Sequence, residues 1–155
     1  MHKKILFSRL AVPVLLSLFF SGCSWLNQVY IFNRSKHDVV VHYAVGGNSF
    51  PGKAYAFKID SWSAKNITLG DSIKVYSRKE EGGVFYFELP PQTALLIGEM
   101  MNKDLLNESD CRAFTDSIRT LRVFSANDNS LECKAGDCFT KLKRINKFRA
   151  GFVIE

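Results

Sequence analysis

"FYFELPPQTALLIGEM", Phe85 to Met100, decides the fold class. In its first half Phe85, Phe87 and Leu89 alternate with Tyr86 and Glu88, the period of two of a strand with one apolar face. Pro90-Pro91 ends that strand, because proline brings no N–H to a ladder, and "TALLIGEM" starts another at once. Upstream, "SIKVYS" (Ser72 to Ser77) leads through "RKEEG" into "GVFYFEL", and Gly82-Gly83 supplies the positive φ of a tight reversal.

The same alternation recurs outward in both directions. "DVVVHYAV" (Asp38 to Val45) sets Val39, Val41 and Tyr43 on one face against Val40, His42 and Ala44 on the other. "VYIF" (Val29 to Phe32) precedes it across the polar "NRSKH", which predicts a hairpin of these two strands. With "LRVFSA" (Leu121 to Ala126) and "GFVIE" (Gly151 to Glu155) there are at least seven extended segments. Asp137 as N-cap, with Phe139, Leu142 and Ile145 at every third position, predicts a helix over "CFTKLKRINK". "NKDLLNESDCRAF" reads as an irregular excursion with one helical turn. Many short strands and little helix predict a mainly β, immunoglobulin-like two-sheet antiparallel sandwich with one short helix near the C-terminus.

The first 22 residues read as a leader and not as part of the fold. Lys3, Lys4 and Arg9 stand without an acid, and Leu10 to Phe20 is an apolar run too short for the roughly 20 residues that span a bilayer. The following Phe20-Ser21-Gly22-Cys23 resembles a bacterial lipobox. That resemblance implies cleavage between Gly22 and Cys23 and acyl chains on Cys23. Several chains hold a protein stably where one does not. Ser24, where an aspartate would signal inner-membrane retention, implies the outer membrane; the absence of acid in "CSWLNQVY" favours its periplasmic face. The expected organisation is therefore a signal peptide over 1–22, a lipid-anchored tether over 23–28 and one sandwich domain over 29–155. "IFNRSKHDVVVHYAV", "FELPPQTALLIGEM" and "FRAGFVIE" look like small Bacteroidetes-type periplasmic lipoproteins with immunoglobulin-like sandwiches. In that group Asp71-Ser72-Ile73 and Asp116-Ser117-Ile118 resemble sites of O-glycan attachment.

Charge and cysteines narrow the function. The 21 Lys and Arg against 15 Asp and Glu include the three leader cations, so the mature chain carries 18 against 15, a net of +3 and not +6. That small excess, and the envelope location, argue against nucleic acid as a partner. Cys111, Cys133 and Cys138 remain after Cys23. In an oxidising compartment the preferred reading is a Cys133–Cys138 bridge around "KAGD" with Cys111 free; Cys111 pairing with either, or no bridge, are the alternatives. Three thiols without a nearby His pair do not make a zinc site, and neither a metal nor a cofactor is expected.

An enzyme is not expected either, and no catalytic residue is assigned. His37 lies in a turn and His42 in a strand, G-x-S-x-G and H-E-x-x-H are absent, and Glu80-Glu81 and Asp104 give carboxylates without a defined separation. The basic run Lys141, Lys143, Arg144, Lys147 and Arg149, five cations in nine residues without an acid, is a candidate surface for lipid headgroups or an acidic partner. Trp25 is expected at the membrane interface, and Trp62 in the core or as a sugar-stacking ring. The expected function is a lipid-anchored, non-enzymatic interaction or accessory module bound to the membrane through its anchor and to an envelope protein. The alternatives are a periplasmic inhibitor or immunity-type protein, and a glycan-binding protein.

Overall fold

A computed structural model describes residues 25–46, 55–63, 65–125 and 131–155. The leader, Gly22 and Cys23 lie outside the described residues. The chain runs β1 (Leu26–Asn33), β2 (Val39–Val45), β3 (Tyr55–Trp62), β4 (Ile67–Ile73), β5 (Tyr76–Lys79), β6 (Phe85–Leu89) and β7 (Thr93–Met101). Helix α1 (Glu108–Thr115), β8 (Ile118–Ser125), β9 (Leu131–Lys134), the single turn α2 (Cys138–Lys141), β10 (Lys143–Asn146) and β11 (Arg149–Ile154) follow. The strands form two facing sheets, as the alternation predicts. Sheet I has the order β10-β11-β1-β7-β3-β4 and sheet II the order β5-β6-β2-β8-β9. All pairings are antiparallel except β1 with β11, which run parallel.

The sandwich core takes alternate residues from both inner faces: Val29 and Ile31 of β1, Leu95 and Ile97 of β7 and Phe152 of β11 meet Val41, Phe87 and Val123 of sheet II. Tyr43 is fully buried among them and donates its hydroxyl proton to the carbonyl of Ile97, 3.3 Å away.

Sheet I also carries apolar residues on its other face, where Tyr30, Phe32, Ala94 and Leu96 are buried in a second cluster with Ile67 and Ile145. Neighbouring strands lie about 4.8 Å apart, so β11 and β4 would be roughly 19 Å from each other in a flat sheet. Instead the Arg149 guanidinium of β11 donates to the Ile67 carbonyl of β4 at 2.6 Å, and Trp62 of β3 meets Phe32 edge-on at 5.0 Å. Sheet I therefore curls until β3–β4 covers the face of β1. Gly151 allows this: a Cβ there would stand 2.4 Å from both the Phe32 ring and the Tyr30 carbonyl oxygen.

Four local expectations are corrected. β1 and β2 do not form a hairpin; they lie in different sheets, and the Asn33 side chain holds the crossover. Its NH2 group shares two protons among the carbonyls of His37 (2.8 Å), Leu89 (2.9 Å) and Pro90 (2.9 Å), and its oxygen accepts from the Ser35 hydroxyl (2.7 Å). "SIKVYS" is not one strand, because the chain leaves sheet I at Ile73 and enters sheet II at Tyr76. The helix at Cys138 ends after one turn: Leu142 is extended (φ −76°, ψ 116°), and Lys143–Asn146 pairs with β11 instead. Asp137 makes no side-chain cap there. The excursion before β8 contains two helical turns, capped by Asn107 Oδ1 accepting from Ser109 N at 2.9 Å. β1 starts at Leu26, and Asn27 on it is fully buried.

Replacing Asn33 with Ala removes the side-chain donor to the buried Leu89 carbonyl and one of two donors to the carbonyls of His37 and Pro90, which keep the Ser35 and Thr93 hydroxyls. The expected loss is about 3 kcal/mol in urea unfolding, and Asn33→Asp, which brings acceptors to those carbonyls, is expected to be no better. Burial pushes the phenol of Tyr30 up to about 12 and that of Tyr43 higher still. Unfolded tyrosine ionises near 10. The stability carried by these two protonated phenols is therefore complete below about pH 10 and lost as the pH rises from there through their folded-state values. Denaturant midpoints measured from pH 8 to 12 should fall across that window, and less so in Tyr30→Phe.

Candidate interaction surface

The outer face of sheet II has no layer above it among the described residues, and strand register orders its side chains into rows. Tyr76, Glu88, Val40 and Phe124 form one row across β5, β6, β2 and β8. Arg78, Tyr86, His42, Arg122 and Glu132 form the next. The rings connect the rows: Tyr76 meets Tyr86 edge-on at 6.2 Å, Tyr86 meets His42 at 5.2 Å, and His42 meets Phe124 edge-on at 5.3 Å. Tyr76 and Phe124, the two ends of this aromatic line, are 57% and 45% exposed.

Charged groups frame the rings. The Arg78 guanidinium stacks over Tyr86 at 4.6 Å and also pairs with Glu80 at 2.8 Å. Arg122 pairs with Glu132 at 2.9 Å on the far side. The Tyr86 hydroxyl donates to Glu88 at 3.2 Å; partial burial and then that carboxylate push its phenol up. Exposed surface ion pairs contribute little to stability. Tyr and Arg with neighbouring aromatic surface are instead the side chains that anchor protein interfaces.

The residues singled out in the sequence go to several places. Cys133 and Cys138 are bridged, with Cα atoms 5.1 Å apart, and the bridge fastens β9 to α2. Cys111 is free and fully buried, its thiol donating to the Leu105 carbonyl at 3.0 Å; burial pushes its ionisation up. The basic run does not make one helical face: Lys141 ends α2, Lys143 and Arg144 are adjacent on β10, Lys147 lies in the following turn and Arg149 opens β11. Lys141 donates to the Glu132 carbonyl, and Lys143 lies over the Trp62 ring at 5.5 Å. Arg144 donates to the Leu106 carbonyl at 3.0 Å, Lys147 lies over Phe148 at 4.8 Å, and Arg149 is taken up by Ile67.

Trp62 is half-buried and packed on Phe32, with the Arg34 guanidinium, itself paired with Glu155 at 2.8 Å, lying 4.6 Å from its ring. Asp104 accepts from Leu106 N at 2.8 Å, and Glu80 is paired with Arg78, which leaves them tied to separate local contacts. Asp110 is held below the usual carboxylate range by the backbone N–H of Asp104 and the Lys103 ammonium. Of the two serines in Asp-Ser-Ile triplets, Ser72 is exposed, whereas Ser117 is half-buried and donates to the Phe114 carbonyl at 2.6 Å.

An open cleft of about 230 Å³ lies where Tyr43 and Ile97 meet Phe114 and Ser117. It is smaller than the roughly 300 Å³ at which small-molecule pockets begin, and Glu99 is the one charged residue in its lining. Among the described residues no group of three or more His, Cys, Asp or Glu could hold a metal ion. Sequence reading missed the aromatic line because its four rings come from four strands; the alternation of Tyr86 and His42 with core residues was its visible signal.

With Cys23 replaced by Ala, Cys111 should resist a thiol reagent in the native protein and react once denaturant opens the core; rapid native labelling would contradict the burial described here. The chain matches no family model, no curated protein and no solved structure, so its surfaces have to be read from their own chemistry.

Proposed function

We propose that this chain is a lipoprotein of the bacterial envelope, anchored through acylated Cys23 at the periplasmic face of the outer membrane. It acts as a non-enzymatic interaction or accessory module, and the outer face of sheet II engages an envelope protein. The observation that carries the interaction reading is the exposed aromatic line from Tyr76 through Tyr86 and His42 to Phe124, flanked by Arg78 and Arg122. Rings on rigid strands lose little conformational entropy on binding, and a partner that covers them removes apolar area from water. The leader pattern and the lipobox-like Phe20-Ser21-Gly22-Cys23 support the anchor.

A glycan-binding reading relied on an exposed Trp62 beside carboxylates, and the packing of Trp62 between Phe32 and Arg34 gives it no support. An inhibitor is a special case of the same module, with a hydrolase as the partner.

The test is affinity capture from gently solubilised envelopes. The wild type should enrich one protein near stoichiometry. The Tyr76→Ala/Phe124→Ala variant, altered only at exposed rings, should lose that partner by at least about tenfold, as removing two interface anchors would. Equal capture by both proteins would refute the sheet II assignment. Release of Cys23→Ala from the membrane fraction checks the anchor separately.

A further inference from the structure

Apolar side chains are also exposed at the end of the sandwich where the described chain begins. Leu26 and Met101 face each other across β1 and β7, 46% and 64% exposed, and Trp25 precedes them at 46%. Leu106 and Phe148 are exposed on adjoining segments. Backbone contacts hold these segments together. Asn102 N donates to the Trp25 carbonyl at 3.0 Å, and the Trp25 indole N–H donates to the Lys103 carbonyl at 2.9 Å. Gln28 N donates to the Phe148 carbonyl at 2.8 Å and Leu105 N to that of Lys147 at 3.2 Å. The five apolar residues thus belong to one built surface.

We infer that this end rests on the phospholipid bilayer as a docking face that sets the orientation of the whole sandwich. The inference rests on the anchor reading above, and chain length then does most of the work. Ser24 alone separates Trp25 from Cys23, and two extended Cα-to-Cα steps reach about 7 Å at most. The interfacial layer on each side of the hydrocarbon core is roughly 5–8 Å deep. Acyl chains on Cys23 therefore bring the Trp25 end to the headgroups in any orientation. The indole ring, the paired Leu26 and Met101, and Phe148 are the side chains favoured at that boundary.

Charge adds only a small bias. Arg144 and Lys147 lie at this end, and Lys103 is matched by Asp110 at 3.1 Å, with Asp104 nearby. Facing sheets keep their strands within about 30° of each other. With the Trp25 end of β1 downward, the aromatic line of sheet II faces sideways from the membrane normal and is open to a partner in or near the same membrane.

The test uses the acylated full chain in phosphatidylethanolamine/phosphatidylglycerol vesicles, with Trp62→Phe so that Trp25 is the remaining indole. With lipids brominated near the headgroup, Trp25 emission should shift to the blue and lose most of its intensity; deeply brominated lipids should quench it less. Leu26→Asp/Met101→Asp, changed only at exposed positions, should stay acylated and vesicle-bound but lose that quenching. Anchored protein whose Trp25 emission equals that in detergent-free solution overturns the docking face and leaves the anchor standing. Protein without acyl mass on Cys23 that does not bind vesicles overturns both. Trp25 shielding that needs no vesicles and grows with protein concentration gives the face to a second copy and overturns the bilayer assignment.

Discussion

One buried amide governs how this chain becomes two sheets. Asn33 closes β1, and its side chain reaches the carbonyl of His37 in the β1–β2 crossover and those of Leu89 and Pro90 in the β6–β7 crossover. Both crossovers carry the chain between sheets and turn carbonyls toward this amide; those of His37 and Pro90 also accept from the Ser35 and Thr93 hydroxyls, whereas that of Leu89 relies on Asn33 for its side-chain donor. Such groups cost more to leave unpaired than an average hydrogen bond gains. Leu89-Pro90-Pro91 sharpens the need, since the two prolines bring no N–H of their own. The register of β2 against β6, and so the alignment of the aromatic line, follows from where this amide pins the two turns.

The sandwich has two apolar clusters, not one, and β1 separates them. Its odd residues Val29 and Ile31 face sheet II, while Tyr30 and Phe32 face the curl of β3–β4. A strand buried on both sides suits the centre of a sheet, and β1 lies between β11 and β7. β1 and β11 are neighbours, so β1 is held by a strand from the far end of the described chain. The two surfaces we propose lie where these clusters stop: the outer face of sheet II and the Trp25 end of sheet I. Rigid strands present both, which favours recognition of a preformed shape over a change of conformation.

Much of the strand content was legible because a period of two is a local property. Val39 to Tyr43 and Phe85 to Leu89 point as their alternation says, and the positive φ of Gly82 and Gly83 lies where the hairpin requires it. Local alternation does not name a partner, however, and that is why β1 and β2 read as a hairpin. The misread helix has a similar cause: Phe139, Leu142 and Ile145 recur at helical spacing, yet Leu142 faces the sandwich core and Ile145 the second cluster on an extended chain. Helix α1 was under-read although Asn107, with Glu108 and Arg112 spaced for an ion pair at 2.7 Å, marks it. The disulfide was legible because five residues with a Gly136 at φ 91° leave little freedom to its two cysteines.

The sequence by itself determined that this is a β protein, where several of its strands lie, and that Cys133 can reach Cys138. These are short-range properties: side-chain alternation, turn chemistry and the spacing of a few residues. Tertiary structure alone decided which strands share a sheet, that sheet I curls over Phe32, and that Tyr76, Tyr86, His42 and Phe124 form one exposed line. It also dispersed the five cations of residues 141–149, contiguous in the chain, to different faces. The reason is the same in each case. A strand satisfies its backbone only with a neighbour, and which neighbour it takes depends on residues distant in sequence that bury its apolar face.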